Sequence, residues 1–137
     1  MSVRALDHLA ITVRDVDATL DFYRRALDAE VLYEDLFRAG KLPVCLLQVG
    51  ASRLSIHPAA APAKPHARAV TPGSADFCFR WDGPIEAAQR KLESAGIEIE
   101  EGPVPRPAAD GLPGRSLYFR DPDGNLVELL STDTSGV

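Results

Sequence analysis

Hydrophobic and polar residues alternate along two well-separated stretches of the chain. Over residues 6–13, Leu9, Ile11 and Val13 share one face while Leu6, His8, Ala10 and Thr12 share the other. Over 75–81, Phe77, Phe79 and Trp81 form the apolar face, opposite Asp76, Cys78 and Arg80. A period of two residues is that of a strand buried on one side. After the first stretch, Asp15 or Asp17 can cap a helix over 18–29, in which Thr19-Leu20, Phe22-Tyr23 and Leu27 recur at helical spacing. Residues 31–37, 42–49 and 53–57 then read as strands, separated by the turn signals Ala39-Gly40 and Gly50-Ala51. The first unit is therefore βαβββ.

The second stretch begins the same plan again. A helix is predicted over 84–95, with Gly96 as its stop, and a strand over 97–100. A proline-rich loop is predicted over 102–113, followed by strands at 115–120 and 126–130 joined through Asp121-Pro122-Asp123-Gly124. In that turn Pro fixes φ and Gly accepts a positive φ. Residues 58–73 hold four prolines and six alanines without periodicity and read as the loop between the repeats. An internal repeat of this kind points to an α+β fold of two tandem βαβββ modules, 4–58 and 74–132.

Length and composition narrow the picture. In 137 residues with 45% hydrophobic content, each half is marginal alone, so one domain of two mutually supporting modules is expected. The net charge is −5 and the fifteen basic residues are scattered, which excludes the cationic stripe that a nucleic acid demands. The first residues, Met1-Ser2-Val3-Arg4-Ala5-Leu6, run into the first strand pattern without a long apolar region, which argues against a signal peptide or membrane span and for a cytoplasmic protein. Cys45 and Cys78 belong to no Cys-x-x-Cys pair and read as two buried, reduced thiols.

The strand phases place His8, Asp76, Ser55, His57 and Glu128 on the face away from the helices, with Glu128 expected at the place in the second unit that His57 has in the first. Imidazole nitrogen and carboxylate oxygen on rigid strands suit a divalent cation, and His8, His57 and Glu128 would supply such a set. Ligand identity leaves Fe, Mn, Ni and Zn open. His66, between Lys64 and Arg68, reads as solvated. Phe37, Arg38, Arg115 and Arg120 are candidate cavity residues, the arginines suited to a carboxylate or phosphonate substrate.

Three segments, Leu6-Asp7-His8-Leu9-Ala10-Ile11-Thr12-Val13, Thr19-Leu20-Asp21-Phe22-Tyr23 and the run from Tyr118 to Glu128, resemble the vicinal oxygen chelate superfamily. That superfamily includes glyoxalase I, extradiol dioxygenases and bleomycin-resistance proteins, and the resemblance covers nearly the whole chain. It implies that the two modules form a curled mixed sheet around a central cavity, with metal ligands at His8, His57, Asp76 and Glu128. Asp76 departs from the histidine common at its position, which weakens the extradiol-dioxygenase alternative and leaves Asp76 open as ligand, general base or partner of Arg80 or Arg115. Tyr118 holds the place of a substrate-contacting tyrosine in dioxygenase-like members. The resemblance implies a metal-dependent enzyme acting on a small substrate chelated through vicinal oxygens. Lyase or isomerase chemistry is placed slightly ahead, with Asp76 or Glu128 moving the proton. A metal-free binding protein of the antibiotic-resistance kind is the alternative, and a homodimer is expected because exposed sheet edges invite association.

Overall fold

The computed structural model describes residues 1–135 and divides into two compact units, Met1–Gly73 and Ser74–Val137. In the first, strand β1 (Leu9–Val13) leads into helix α1 (Val16–Leu27). Strand β2 (Glu30–Leu32), helix α2 (Glu34–Arg38) and strands β3 (Cys45–Val49) and β4 (Ser52–Pro58) follow. The sheet order is β1-β4-β3-β2, with β1 parallel to β4 and the other pairs antiparallel. The Asp15 carboxylate accepts from the Ala18 amide at 3.0 Å, which selects the first of the two expected caps for α1. Leu20, Tyr23 and Ala26 of α1 are buried, as are Ile11, Val13, Leu47, Leu54 and Ile56 of the sheet. Removing that apolar area from water is the main drive for the unit to close.

The second unit contains strand β5 (Asp76–Arg80), helix α3 (Ile85–Ser94), and strands β6 (Glu101–Pro107), β7 (Pro113–Arg120) and β8 (Leu126–Ser131). Its sheet order, β5-β8-β7-β6, with β5 parallel to β8, reproduces the order of the first. Ile85, Ala88 and Leu92 of α3 and Leu117, Phe119, Val127 and Leu129 of the sheet form its core. The fold is thus α+β, with two four-stranded mixed sheets of the same plan.

Three expectations are corrected. The strand predicted over 31–37 is only Glu30–Leu32, and Glu34–Arg38 is helical, with acidic residues in its first turn and a Glu34–Arg38 ion pair at 3.1 Å. Tyr33 turns the chain between them in the left-handed region, at φ 62°. The strand predicted over 97–100 is irregular chain, and the first part of the loop predicted over 102–113 belongs to β6, which contains Pro103, Pro105 and Pro107, leaving 108–112 as the connection to β7. These prolines fall at every second residue of an edge strand. The backbone nitrogens of one parity point away from β7, so the missing N–H groups interrupt no ladder bond. Within β6, Gly102 has φ 107°, and a Cβ there would lie 2.4 Å from the Ser116 carbonyl oxygen. No side chain fits so close an approach. Finally, residues 6–8 lie outside β1, so His8 stands just before the strand.

Candidate functional site

Each sheet carries its distinctive chemistry on the face opposite its helix. In the first unit, Leu9 pairs with Leu54, Ala10 with Ser55 and Thr12 with His57. His8 stands just before β1, one residue short of the Leu9–Leu54 pair and so nearest the level of Arg53, while His57 lies farther along β4. In the second unit, Asp76 pairs with Leu126 and Cys78 with Glu128, so Asp76 and Glu128 are two residues out of step. The residue two steps beyond the level of His8 is Ser55. Ser55, and not His57, holds in the first unit the place that Glu128 holds in the second; His57 is one further step along the same face.

The two histidines are held differently. His8 Nδ1 is 2.9 Å from Asp7 Oδ1, and this contact, with the imidazole's charge, holds the Asp7 carboxyl below its usual range. Nε2 of His8 makes no hydrogen bond among the described residues. His57 Nε2 lies 3.0 Å from the hydroxyl oxygen of the buried Ser55. Burial lowers the His57 pKa, and the neighbouring His8 and His66 add to the effect, so its imidazole is neutral at neutral pH. His66 Nδ1 lies 2.8 Å from the carbonyl oxygen of Ala67 in an exposed loop, in keeping with a solvated group.

The corresponding face of the second unit is denser in titratable groups. Glu128 Oε2 accepts from Ser116 Oγ at 2.6 Å. Tyr118 is the cross-strand partner of Glu128, and its Oη accepts from Arg106 Nε at 3.0 Å while the guanidinium also sits 5.7 Å from the ring centroid. Burial pushes the Tyr118 phenol above its ordinary value; Arg106 opposes this and the Glu128 charge reinforces it. The phenol is thus a proton donor over the neutral range. Cys78, expected to be buried, retains solvent access, yet desolvation by its neighbours and the Glu128 charge push its thiol up to about 11. Cys45 is buried as expected.

Asp76 is exposed and makes no side-chain hydrogen bond or ion pair among the described residues. The partners considered for it are engaged elsewhere: Arg80 with Asp110 at 3.4 Å and Thr132 at 2.7 Å, Arg115 with Glu86 at 2.7 Å. The other arginines expected to line a cavity are likewise paired, Arg38 with Asp17 and Glu34 and Arg120 with Glu100. Ser116 and Arg106 had not been singled out. The two-residue spacing of Ser116 and Tyr118 carried a signal for the serine, whereas Arg106 was hidden in a segment read as loop.

Among the described residues no group of three His, Cys, Asp or Glu side chains is gathered closely enough to hold a metal ion. The donor chemistry nevertheless fits a divalent cation: a histidine whose second nitrogen is tied to a carboxylate, a neutral histidine, and a carboxylate oriented by a hydroxyl. None of the described helices is long and apolar enough to cross a membrane.

Comparison with known proteins places this architecture. The chain is 41% identical over 131 residues to the glyoxalase domain-containing protein RDO1 of Mycosarcoma maydis, covering 96% of this chain and 70% of that one. It is 38% identical to the virulence protein STM3117 of Salmonella typhimurium over 94% of this chain and 85% of that protein. The crystal structure of STM3117 superposes with a TM-score of 0.85, covering 96% of this chain and 98% of the other at 36% identity. At the level of fold alone, a fosfomycin resistance protein from Listeria monocytogenes, complexed with Mn(II) and 1S,2S-dihydroxypropylphosphonic acid, aligns at 21% identity. Its TM-score is 0.61, over 93% of this chain and 90% of that one. The sequence model of the Glyoxalase/Bleomycin resistance protein/Dioxygenase superfamily matches residues 5–129, and the chain belongs to that superfamily.

Proposed function

We propose that this protein is a divalent-metal-dependent enzyme acting on a small substrate held through two neighbouring oxygen atoms, with lyase or isomerase chemistry ahead of dioxygenase chemistry. His8, His57 and Glu128 are the proposed donors, and Fe, Mn, Ni and Zn all suit them. The observation that supports the reading is the donor chemistry each unit holds by itself: a neutral imidazole in the first, and in the second a carboxylate oriented by a hydroxyl beside a protonated phenol. The fosfomycin resistance protein with Mn(II) and a vicinal diol lends support from a structure of similar fold.

In this reading the bound cation supplies Lewis-acid stabilisation of negative charge on substrate oxygen. The remaining work falls to the chain. Ser116 holds Glu128 in one orientation, so its second oxygen is presented consistently. Asp76, with no internal partner, is the general base. Tyr118, kept protonated and fixed by Arg106, donates to an oxygen that gains charge, and Glu128 shares in moving the proton. The lack of histidine at 76 is what sets the dioxygenase alternative behind.

In the same reading the protein is cytoplasmic and works as a homodimer. Each sheet ends on strands, β1 and β2 or β5 and β6, that pair on one side only within their own sheet, and such edges favour association. A monomer by light scattering at micromolar concentration would contradict the dimer.

The test is elemental analysis of protein purified without chelator, beside His57→Ala and Glu128→Ala. About one equivalent of a transition metal, lost in both variants while thermal unfolding is retained, is expected. No metal in the wild type even after reconstitution would overturn the enzyme reading in favour of a metal-free binding protein.

A further inference from the structure

The arginines expected to meet an anionic substrate prove to be paired with carboxylates, whereas Arg4 and Arg53 belong to those that make no ion pair among the described residues. Among the described residues Arg4 makes no ion pair, and Arg53 uses only its Nε, donating to Gln48 Oε1 at 2.7 Å. Both guanidinium groups line one groove of about 360 Å³ in the first unit, together with Ala5, Leu6, Asp7, Gln48 and Ala51. That volume is in the range of a small-molecule pocket. In a chain of net charge −5 with twenty acidic residues, this small groove holds two arginines and a single carboxylate, Asp7, which makes its closest contact with His8 and feels the Arg53 charge more weakly.

The groove's place matters. Arg53 is the β4 residue nearest the level of His8, and Asp7, which contributes to the wall, is the residue whose carboxylate is occupied by His8. Because Gln48 fixes the Arg53 Nε edge, the Nη1 and Nη2 groups remain as donors for an incoming oxyanion. Ala5, Leu6 and Ala51 supply apolar wall for a short carbon chain.

We infer that this groove binds the oxyanion tail, carboxylate or phosphonate, of the small oxygenated substrate, with Arg53 and Arg4 as its specificity-determining residues. The inference rests on the proposed function for naming the ligand a substrate; the anion site itself stands or falls separately.

The probes are methylphosphonate and acetate, titrated into metal-free 15N-labelled full-length protein at low ionic strength and followed by amide chemical shifts. Saturable shifts confined to residues around Arg4, Asp7, Gln48 and Arg53 are expected, with the tighter probe identifying the class of tail. Arg53→Gln, and Arg4→Gln more weakly, should reduce the affinity, Arg53→Gln by roughly tenfold, whereas Arg120→Gln should not change it. Asp7→Asn should tighten binding by removing a like charge. All of these positions are exposed, so unchanged thermal unfolding of the variants confirms that folding is not the cause. No saturable shift for either probe, or affinity equal in Arg53→Gln, overturns the inference. If the groove binds these anions but the protein takes up no metal, the anion site is upheld and the metal-dependent reading alone fails.

Discussion

The two units share one plan of strands and differ almost wholly in what they carry on the face opposite the helix. In the first, the face bears Ala10, Thr12, Leu46, Gln48, Arg53, Ser55 and His57, with Glu30 and Leu32 at its β2 edge. In the second, Asp76, Cys78, Ser116, Tyr118, Glu128 and Arg106 occupy the equivalent surface. On the helix side the two match: Leu54 and Ile56 answer to Val127 and Leu129, all buried. Packing constrains volume and polarity on the buried side, whereas the opposite side is free to diverge without cost to the fold.

Breaking the shared side should hurt both units alike. Ile56→Ala and Leu129→Ala remove side chains that are 0% and 2% exposed, and each is expected to cost about 2–5 kcal/mol by chemical denaturation. A cost confined to one variant would show that the repeat is not energetically a repeat. A smaller effect belongs to the second unit's own fastening. Asn125 is 1% exposed; its Nδ2 donates to Asp121 Oδ2 at 2.8 Å and its Oδ1 accepts from the Ala75 amide at 2.9 Å, tying the turn before β8 to the start of β5. Asn125→Ala leaves those groups unsatisfied and should cost about 1–3 kcal/mol in urea unfolding. An unchanged midpoint would deny the clamp its role.

A subtler difference is electrostatic. Raising the Cys78 pKa from 9.0 to about 11 lowers the thiolate fraction at pH 8 by about a hundredfold. Iodoacetamide should therefore label Cys78 far more slowly than a free thiol, although the residue has solvent access, and Glu128→Gln should hasten labelling. Labelling at the free-thiol rate would contradict the crowding of charge on this face.

Much of this architecture is legible in the alternation of Leu9, Ile11 and Val13 and of Phe77 and Phe79, because period two follows directly from strand geometry. The faces of Asp76, His57 and Glu128 follow from the same count. The register of β1 on β4 does not, since it depends on hydrogen bonds between distant segments; that is why Ser55 rather than His57 came to stand level with Glu128. Proline-rich β6 was obscured because local chemistry forbids proline in a sheet interior and says nothing of an edge. The fates of Arg38, Arg115 and Arg120 depend on carboxylates twenty to twenty-nine positions away or one helical turn along, of which only the last leaves a pattern in sequence.

The proposed function makes His8, His57 and Glu128 the donors of a divalent cation. Mn(II) affinity, measured by competition titration in the wild type and in His8→Ala, His57→Ala, Glu128→Ala and Tyr118→Phe, tests it directly. The account predicts a loss on the order of a hundredfold or more for each of the first three and little change for Tyr118→Phe. Mn(II) binding that survives the loss of either unit's donors would contradict it.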